Sequence, residues 1–176
     1  MSPWPSGRAR HGGIDEIPLP DVPGRLWLCG KHAVGPDHEV ALAEVEATTI
    51  VCLTQADELD DRYPDYLSWL RSAPDHAIWH PIHDLHAPPL EVADELVAAI
   101  VARLAAGERI ILHCAAGIGR SGTIAVCVLV ELGVPLDEAL AIVAANRPMA
   151  GPEVGSQQEL VVEFAGLRPR AGMPPA

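Results

Sequence analysis

His113-Cys114-Ala115-Ala116-Gly117-Ile118-Gly119-Arg120-Ser121 is the stretch that decides how this chain is read. Arg109 to His113 (R-I-I-L-H) runs into it, a compact apolar segment of strand length. An apolar stretch from about Ser121 to Leu132 runs out of it as a helix, ended by Gly133. Strand, short glycine-containing loop and helix in that order place the loop at the carboxyl end of a buried strand, where open α/β sheets bind ligands. Small residues and two glycines between Cys114 and Arg120 let backbone N–H groups turn inward around one tetrahedral anion. The helix that follows aims its N-terminal dipole at the same point.

The residue types then suggest chemistry. Arg120 supplies a planar fork for two phosphate oxygens. Cys114 lies at the floor of the loop, where amides, helix terminus and guanidinium all favour its thiolate, the nucleophilic form. Ser121 is placed to donate a hydrogen bond to the sulfur, or to cap the helix. His113 is expected to orient the loop through hydrogen bonds. Ala115, Ala116, Gly117, Ile118, Gly119 and Arg120 form the expected phosphate cradle.

Outward from the loop, the pattern continues as alternating strands and helices. Arg25–Cys29, Thr48–Leu53 and Ala77–Ile82 read as strands. Asp37–Ala47, Tyr63–Ser72, Leu90–Ala106, Pro135–Ala145 and Glu153–Leu167 read as helices. Leu90, Ala93, Leu96, Val97, Ile100, Val101 and Leu104 keep helical spacing, and Gly107 ends that helix. The fold expected is α/β, a central mostly parallel sheet with helices on both faces. Residues 25–167 form one domain. Residues 1–24, rich in Pro and Gly, are expected to be a flexible or irregular arm, and 168–176 a frayed tail.

In the loop Pro81-Ile82-His83-Asp84-Leu85-His86-Ala87-Pro88, Asp84 follows a strand and so falls on the ligand side of the sheet. It is the expected general acid, and afterwards base toward water; the plainer reading is a turn-forming aspartate. Gln157 and Gln158, early in the last helix, are expected either to position water or to lie on a solvated first turn.

Composition narrows the partners. There are 24 acidic and 12 basic residues, a net charge of −12, which repels nucleic acid and anionic membranes and makes a local anion site more informative. Ile124–Val134, the longest apolar stretch, is too short to span a bilayer. Cys29, Cys52, Cys114 and Cys127 form no C-x-x-C pair, so neither zinc nor a disulfide framework is indicated. Cys29 and Cys127 read as core. Cys52 reads as strand interior, or as a thiol that protects Cys114 by disulfide under oxidation. Reduced thiols and the lack of an apolar leader in 1–24 fit a cytoplasmic protein. His76, His80, His83 and His86 cluster in sequence, but Pro81 and Pro88 prevent one helix from presenting them, so no metal is expected.

His-Cys, five residues, Arg and Ser at His113–Ser121 resemble the signature of the protein tyrosine and dual-specificity phosphatase superfamily. The resemblance spans about Leu26 to Phe164. It is most similar to the small cyclin-dependent-kinase-associated phosphatases and their bacterial relatives. Ile50-Val51-Cys52-Leu53-Thr54 with Glu58-Leu59 resembles their second strand and turn, and His80-Pro81-Ile82-His83-Asp84 with Pro88 their acid loop. Ala145-Asn146-Arg147-Pro148 with Gln157 and Gln158 resembles their C-terminal region.

The resemblance implies a phosphocysteine intermediate on Cys114, phosphate binding by Arg120, acid–base work by Asp84, and neither metal nor cofactor. The implied partner is a phosphorylated protein or small phosphoester. The acid loop departs from the family in reading His-Asp-Leu-His where Asp followed by glycines is more usual. The N-terminal arm matches no family segment, so a kinase partner is not implied. Neutral Ala115, Ala116 and Ile118 favour a phosphoprotein monoester over a polyphosphoinositide. With no segment resembling a deep phosphotyrosine-recognition loop, the pocket is expected to take phosphotyrosine and also phosphoserine or phosphothreonine. Two other functions remain open at this point. One is a Cys-based sulfurtransferase or arsenate reductase, the other a pseudophosphatase that binds phosphorylated partners. The sequence leaves the oligomeric state open.

Overall fold

The computed structural model describes Arg8 and residues 11–169. Its sheet has five strands in the order β1-β2-β5-β3-β4, where β1 is Asp15–Ile17, β2 Arg25–Gly30, β3 Thr49–Cys52, β4 Ala77–Trp79 and β5 Arg109–Cys114. Strands β2 to β5 pair in parallel, and only β1 is antiparallel. Seven helices complete the described chain: α1 Lys31–Val34, α2 His38–Glu44, α3 Pro64–Ser72, α4 Leu90–Ala105, α5 Gly119–Glu131, α6 Leu136–Asn146 and α7 Gly155–Gly166.

Side chains alternate across a strand, so each parallel strand serves two cores. Leu26, Leu28, Val51, Ile110 and Leu112 pack with α4 to α7 on one face. Trp27, Cys29, Ile50, Cys52 and Ile111 pack with α1 to α3 on the other. The expected parallel sheet with helices on both faces is therefore the observed one. Burial on both faces explains why T-I-V-C and R-I-I-L-H-C read as continuous rather than alternating runs. Helix α5 is buried all round from Gly119 to Val130, because it lies between β5 and helices α4, α6 and α7.

The differences from expectation are local. Within the arm at 1–24, Asp15–Ile17 forms β1, whose Ile17 is buried against the core. Three residues with one buried apolar side chain are too short a pattern to show in sequence. Helix α1 is a single turn and escapes periodicity for the same reason. Strand β4 stops at Trp79 because regular pairing with β3 ends there: after the bond to Cys52 O the next inward N–H, of Ile82, meets Leu53 O instead of stepping two residues along β3. His80 and Ile82 still donate to Cys52 O at 2.9 Å and Leu53 O at 2.9 Å, which carries the chain along the strand end. In the expected tail, Arg168 is anchored: it pairs with Asp94 and Glu131 and its guanidinium lies 3.4 Å from the centre of the Phe164 ring. The rest of that tail, from 170 on, and most of the first ten residues lie outside the described residues.

Parallel strands deliver their carboxyl ends to one edge. Gly30 pairs with Cys114, Cys52 with His113, and Cys52 with Trp79, so the segments that follow β2, β3, β4 and β5 all emerge on the same side. Strand β5 sits between β2 and β3, the point at which the chain order reverses and a crevice opens.

Candidate active site

Four segments meet at that crevice: the loop Cys114–Arg120 after β5, the start of α1 after β2, a 3₁₀ turn Ala56–Glu58 after β3, and the acid loop after β4. The first question is where the loop's backbone groups point. Carbonyls at both ends are drawn outward. Ala115 O accepts from Lys31 N at 2.9 Å, and Ile118 O from Gly151 N at 3.1 Å. Gly119 O accepts from the Thr123 hydroxyl at 2.6 Å. The peptide bonds are trans, so each outward carbonyl turns the following N–H the opposite way. The first amides of α5 also have no partner within the helix. Gly117 has φ +73°, and a Cβ there would stand 2.3 Å from Cys29 O, so only glycine fits where the loop crosses β2.

Cys114 is 2% exposed, at the base of this loop, and its Sγ lies 3.3 Å from Ser121 Oγ. Ser121 is therefore within the first turn of α5 and beside the sulfur. The alternative of an N-cap is not what forms, since the cap position is Ile118. His113 is fully buried. Its Nδ1 donates to Cys114 O at 3.1 Å, which leaves Nε2 to accept from the Tyr66 hydroxyl at 2.6 Å. Burial lowers its pKa to about 4, with the Arg120 charge acting the same way. The ring is thus a neutral brace between β5 and α3.

Arg120 is 2% exposed and enters the site from α5. Its Nη1 and Nη2 each meet one carboxylate oxygen of Glu58 at 2.7 Å, and Nη1 also donates to Ile82 O at 2.8 Å. Of five donors, that occupies three. The Nε–H and the remaining Nη2–H make up the other edge of the fork, which carries no hydrogen bond among the described residues. Burial alone would lower the Arg120 pKa, but the Glu58 hydrogen bonds and neighbouring negative charge carry it upward. Burial works against the Glu58 carboxylate as well, yet the Arg120 bonds and the Gln55 N–H hold its pKa below the ordinary range. Lys31 Nζ donates to Glu58 O at 2.9 Å and ties the turn to α1.

Asp84 is exposed, and its Oδ1 lies 3.3 Å from Arg120 Nη2 while accepting from Leu85 N at 3.0 Å. That oxygen thus shapes a turn, as the plainer reading expects, and also faces the arginine. Leu85 has φ +63°, the conformation that glycine would adopt without cost at the position where the loop departs from the family. His83 and His86 cross edge to face at 4.9 Å, and both donate to Asp84 O. His76 is elsewhere, against Thr48 O at 3.3 Å.

Gln157 is fully buried and bridges two segments: its amide donates to His86 O at 3.3 Å and its Oε1 accepts from Glu153 N at 2.9 Å. Gln158 is exposed and donates to Glu153 O at 3.2 Å, so Gln157 is the glutamine that touches the acid loop. The residues missed from sequence are Glu58 as the holder of Arg120, Lys31, and Tyr66. Glu58 had a signal, since Glu58-Leu59 lies in the family-like turn after β3. Cys52 is a buried free thiol with Sγ 3.1 Å from Thr54 Oγ1, and burial pushes its pKa up to about 11.

A buried cysteine thus lies under a glycine-containing loop, beside an arginine held by a carboxylate. The chain belongs to the family described as PTP-SAK, Swiss Army Knife protein, DSP-PTPase phosphatase domain, which matches residues 22–158. Similar solved structures include Tk-PTP in its active form, at 25% identity and TM-score 0.67, covering 87% of this chain and 97% of that one. Kinase associated phosphatase with its catalytic-site cysteine changed to serine is similar at 21% identity and TM-score 0.75, over 89% and 97%. Human DUSP28 is similar at 21% and 0.66, over 94% and 97%. No curated protein matches the chain. Among the described residues, no helix is long and apolar enough to cross a membrane.

Proposed function

We propose that the protein hydrolyses phosphate monoesters of proteins through a phosphocysteine on Cys114. The observation that carries this reading is the placement of Arg120. Glu58 holds the end of its guanidinium, leaves the side-on fork free, and Asp84 approaches the same Nη2. In the first step the Cys114 thiolate attacks phosphorus, the S–P bond forms, the ester P–O bond breaks, and Asp84 gives the leaving oxygen its proton. In the second step water attacks phosphorus, Asp84 takes the water's proton, and Cys114 leaves as a thiolate that accepts from the Ser121 hydroxyl. Arg120 and the loop amides from Ala115 to Gly119 hold the equatorial oxygens in both steps. Gln157 supports the acid loop from below.

The neutral side chains Ala115, Ala116 and Ile118 favour a monoester with a single phosphate. Phosphotyrosine is the first substrate class, with phosphoserine and phosphothreonine as further ones. Free buried thiols suit a reducing compartment such as the cytoplasm. The test is rapid-quench trapping of protein-bound phosphate on Cys114, with Cys114→Ser as control and a panel of phosphopeptides and phosphoinositides as substrates. Phosphate release without a trappable intermediate, or activity retained in Cys114→Ser, overturns the mechanism. A persulfide on the purified protein with no phosphate release would instead favour sulfur transfer.

A further inference from the structure

We propose that Arg147, anchored by Asp15 of β1, is a positioning residue that sets the direction of the phosphate-binding amides in the middle of the loop. The inference rests on the phosphate-binding reading of that loop and extends it to a residue at the end of α6 and to a strand in the N-terminal arm.

The ends of the loop are oriented by Lys31 and Gly151 through backbone bonds, but the two central carbonyls have no backbone partner among the described residues. Both are taken by one side chain. Arg147 Nε donates to Gly117 O at 2.7 Å and Nη2 to Ala116 O at 2.9 Å. A trans peptide directs its N–H opposite to its C=O. Pulling Ala116 O and Gly117 O toward α6 therefore turns the Gly117 and Ile118 amides the other way. Those two donors stand mid-loop, where an anion cradle has most to gain from fixed dipoles. Without Arg147 the peptides on either side of Gly117 could rotate, because glycine offers the least steric resistance.

Arg147 is itself fixed. Its side chain is 6% exposed, and Nη1 donates to Asp15 Oδ2 at 2.7 Å and to Gly13 O at 3.2 Å. Asp15 also pairs with Arg8. A buried guanidinium without a carboxylate is costly, so Asp15 is what permits Arg147 to sit under the loop. The arm outside the alternating α/β pattern thus reaches the loop through a relay from Asp15 and Gly13 through Arg147 to Gly117.

The test uses the full chain with Arg147→Lys and Asp15→Asn, and Arg168→Ala as a control that removes an ion-pair arginine remote from the loop. Two readouts are taken well below each variant's melting temperature: protection of Cys114 from iodoacetamide by inorganic phosphate, and kcat/KM on an aryl phosphate. Arg147→Lys keeps a charge but cannot hold both carbonyls and Asp15, so the protecting phosphate concentration should rise about tenfold. Asp15→Asn should raise it severalfold, and kcat/KM should fall in parallel for both, while Arg168→Ala leaves both readouts at the wild-type level. Variants that melt earlier yet keep wild-type protection and kcat/KM overturn the relay and reduce Arg147 to a structural role. If the wild type binds phosphate but releases none from any ester, the functional reading fails, and the protection arm still decides the relay.

Discussion

Glu58 grips Arg120 by the end of its guanidinium, through two bonds of 2.7 Å, and so fixes which edge of the fork stays open. Removing one carboxylate oxygen's charge should let that fork swing. Glu58→Gln keeps the size and one acceptor but loses the ion pair, and hydrogen bonds between charged groups contribute about 1.5–3 kcal/mol. A fall in kcat/KM of about tenfold or more on an aryl phosphate is expected. Wild-type kinetics in that variant would show that Arg120 needs no holder.

The Glu58–Arg120 pair also shows what the sequence could and could not tell. Cys114 to Ser121 are contiguous, so their shared loop was visible in one line of letters. Glu58 reaches Arg120 across 62 positions, and apart from its place in the family-like turn nothing local distinguishes it from its neighbours Asp57, Asp60 and Asp61. Gln157 and Gln158 looked equivalent because adjacent helical residues are about 100° apart, and only packing decides which of them turns inward. Asp15 was hidden in a Pro- and Gly-rich arm whose strand is three residues long. Long strands and helices were legible because burial on two faces leaves an apolar run; single turns and short edge strands leave none.

His113 gives the fold a pH dependence of definite sign. Its pKa falls from 6.5 to about 4 in the folded protein, chiefly through burial. Between those values the unfolded chain binds the proton and the folded one does not, so stability rises with pH there. The contribution is complete above about pH 6.5 and is lost as pH falls toward 4, by about 3 kcal/mol in all. Glu58, with its pKa lowered, contributes in the same direction but only below about pH 4.5. Thermal melts from pH 7 to 4 should decline across the histidine window, and His113→Asn should flatten that decline. An unchanged slope in the variant would remove His113 as its source.

Asp84 should reveal itself by the substrate it is needed for. Asp84→Asn keeps an acceptor for Leu85 N and so leaves the turn in place. Good leaving groups such as p-nitrophenolate need little help from an acid, whereas a serine or threonine alkoxide needs a full proton. In kcat/KM, which reports the steps up to departure of the leaving group, the variant should lose about 10²–10⁴-fold on alkyl phosphates and much less on activated aryl ones. Equal losses on both would mean that Asp84 only shapes the loop.

The sharpest backbone test is Gly117→Ala. A methyl group there would stand 2.3 Å from Cys29 O and 2.8 Å from Arg147 Nη2, at a residue with φ +73°. The left-handed conformation alone costs about 1–2 kcal/mol for an alanine. The contact adds to it, because β2 cannot retreat without leaving its ladder with β5. The loop must therefore open, which takes the amides away from the place where phosphate would bind. The expected outcome is a lowered melting temperature together with a loss of phosphate protection at Cys114. A variant that folds less stably but protects Cys114 at the wild-type phosphate concentration would mean that the loop can bind its anion in a second backbone conformation, and the role given to the Gly117 crossing would have to be abandoned.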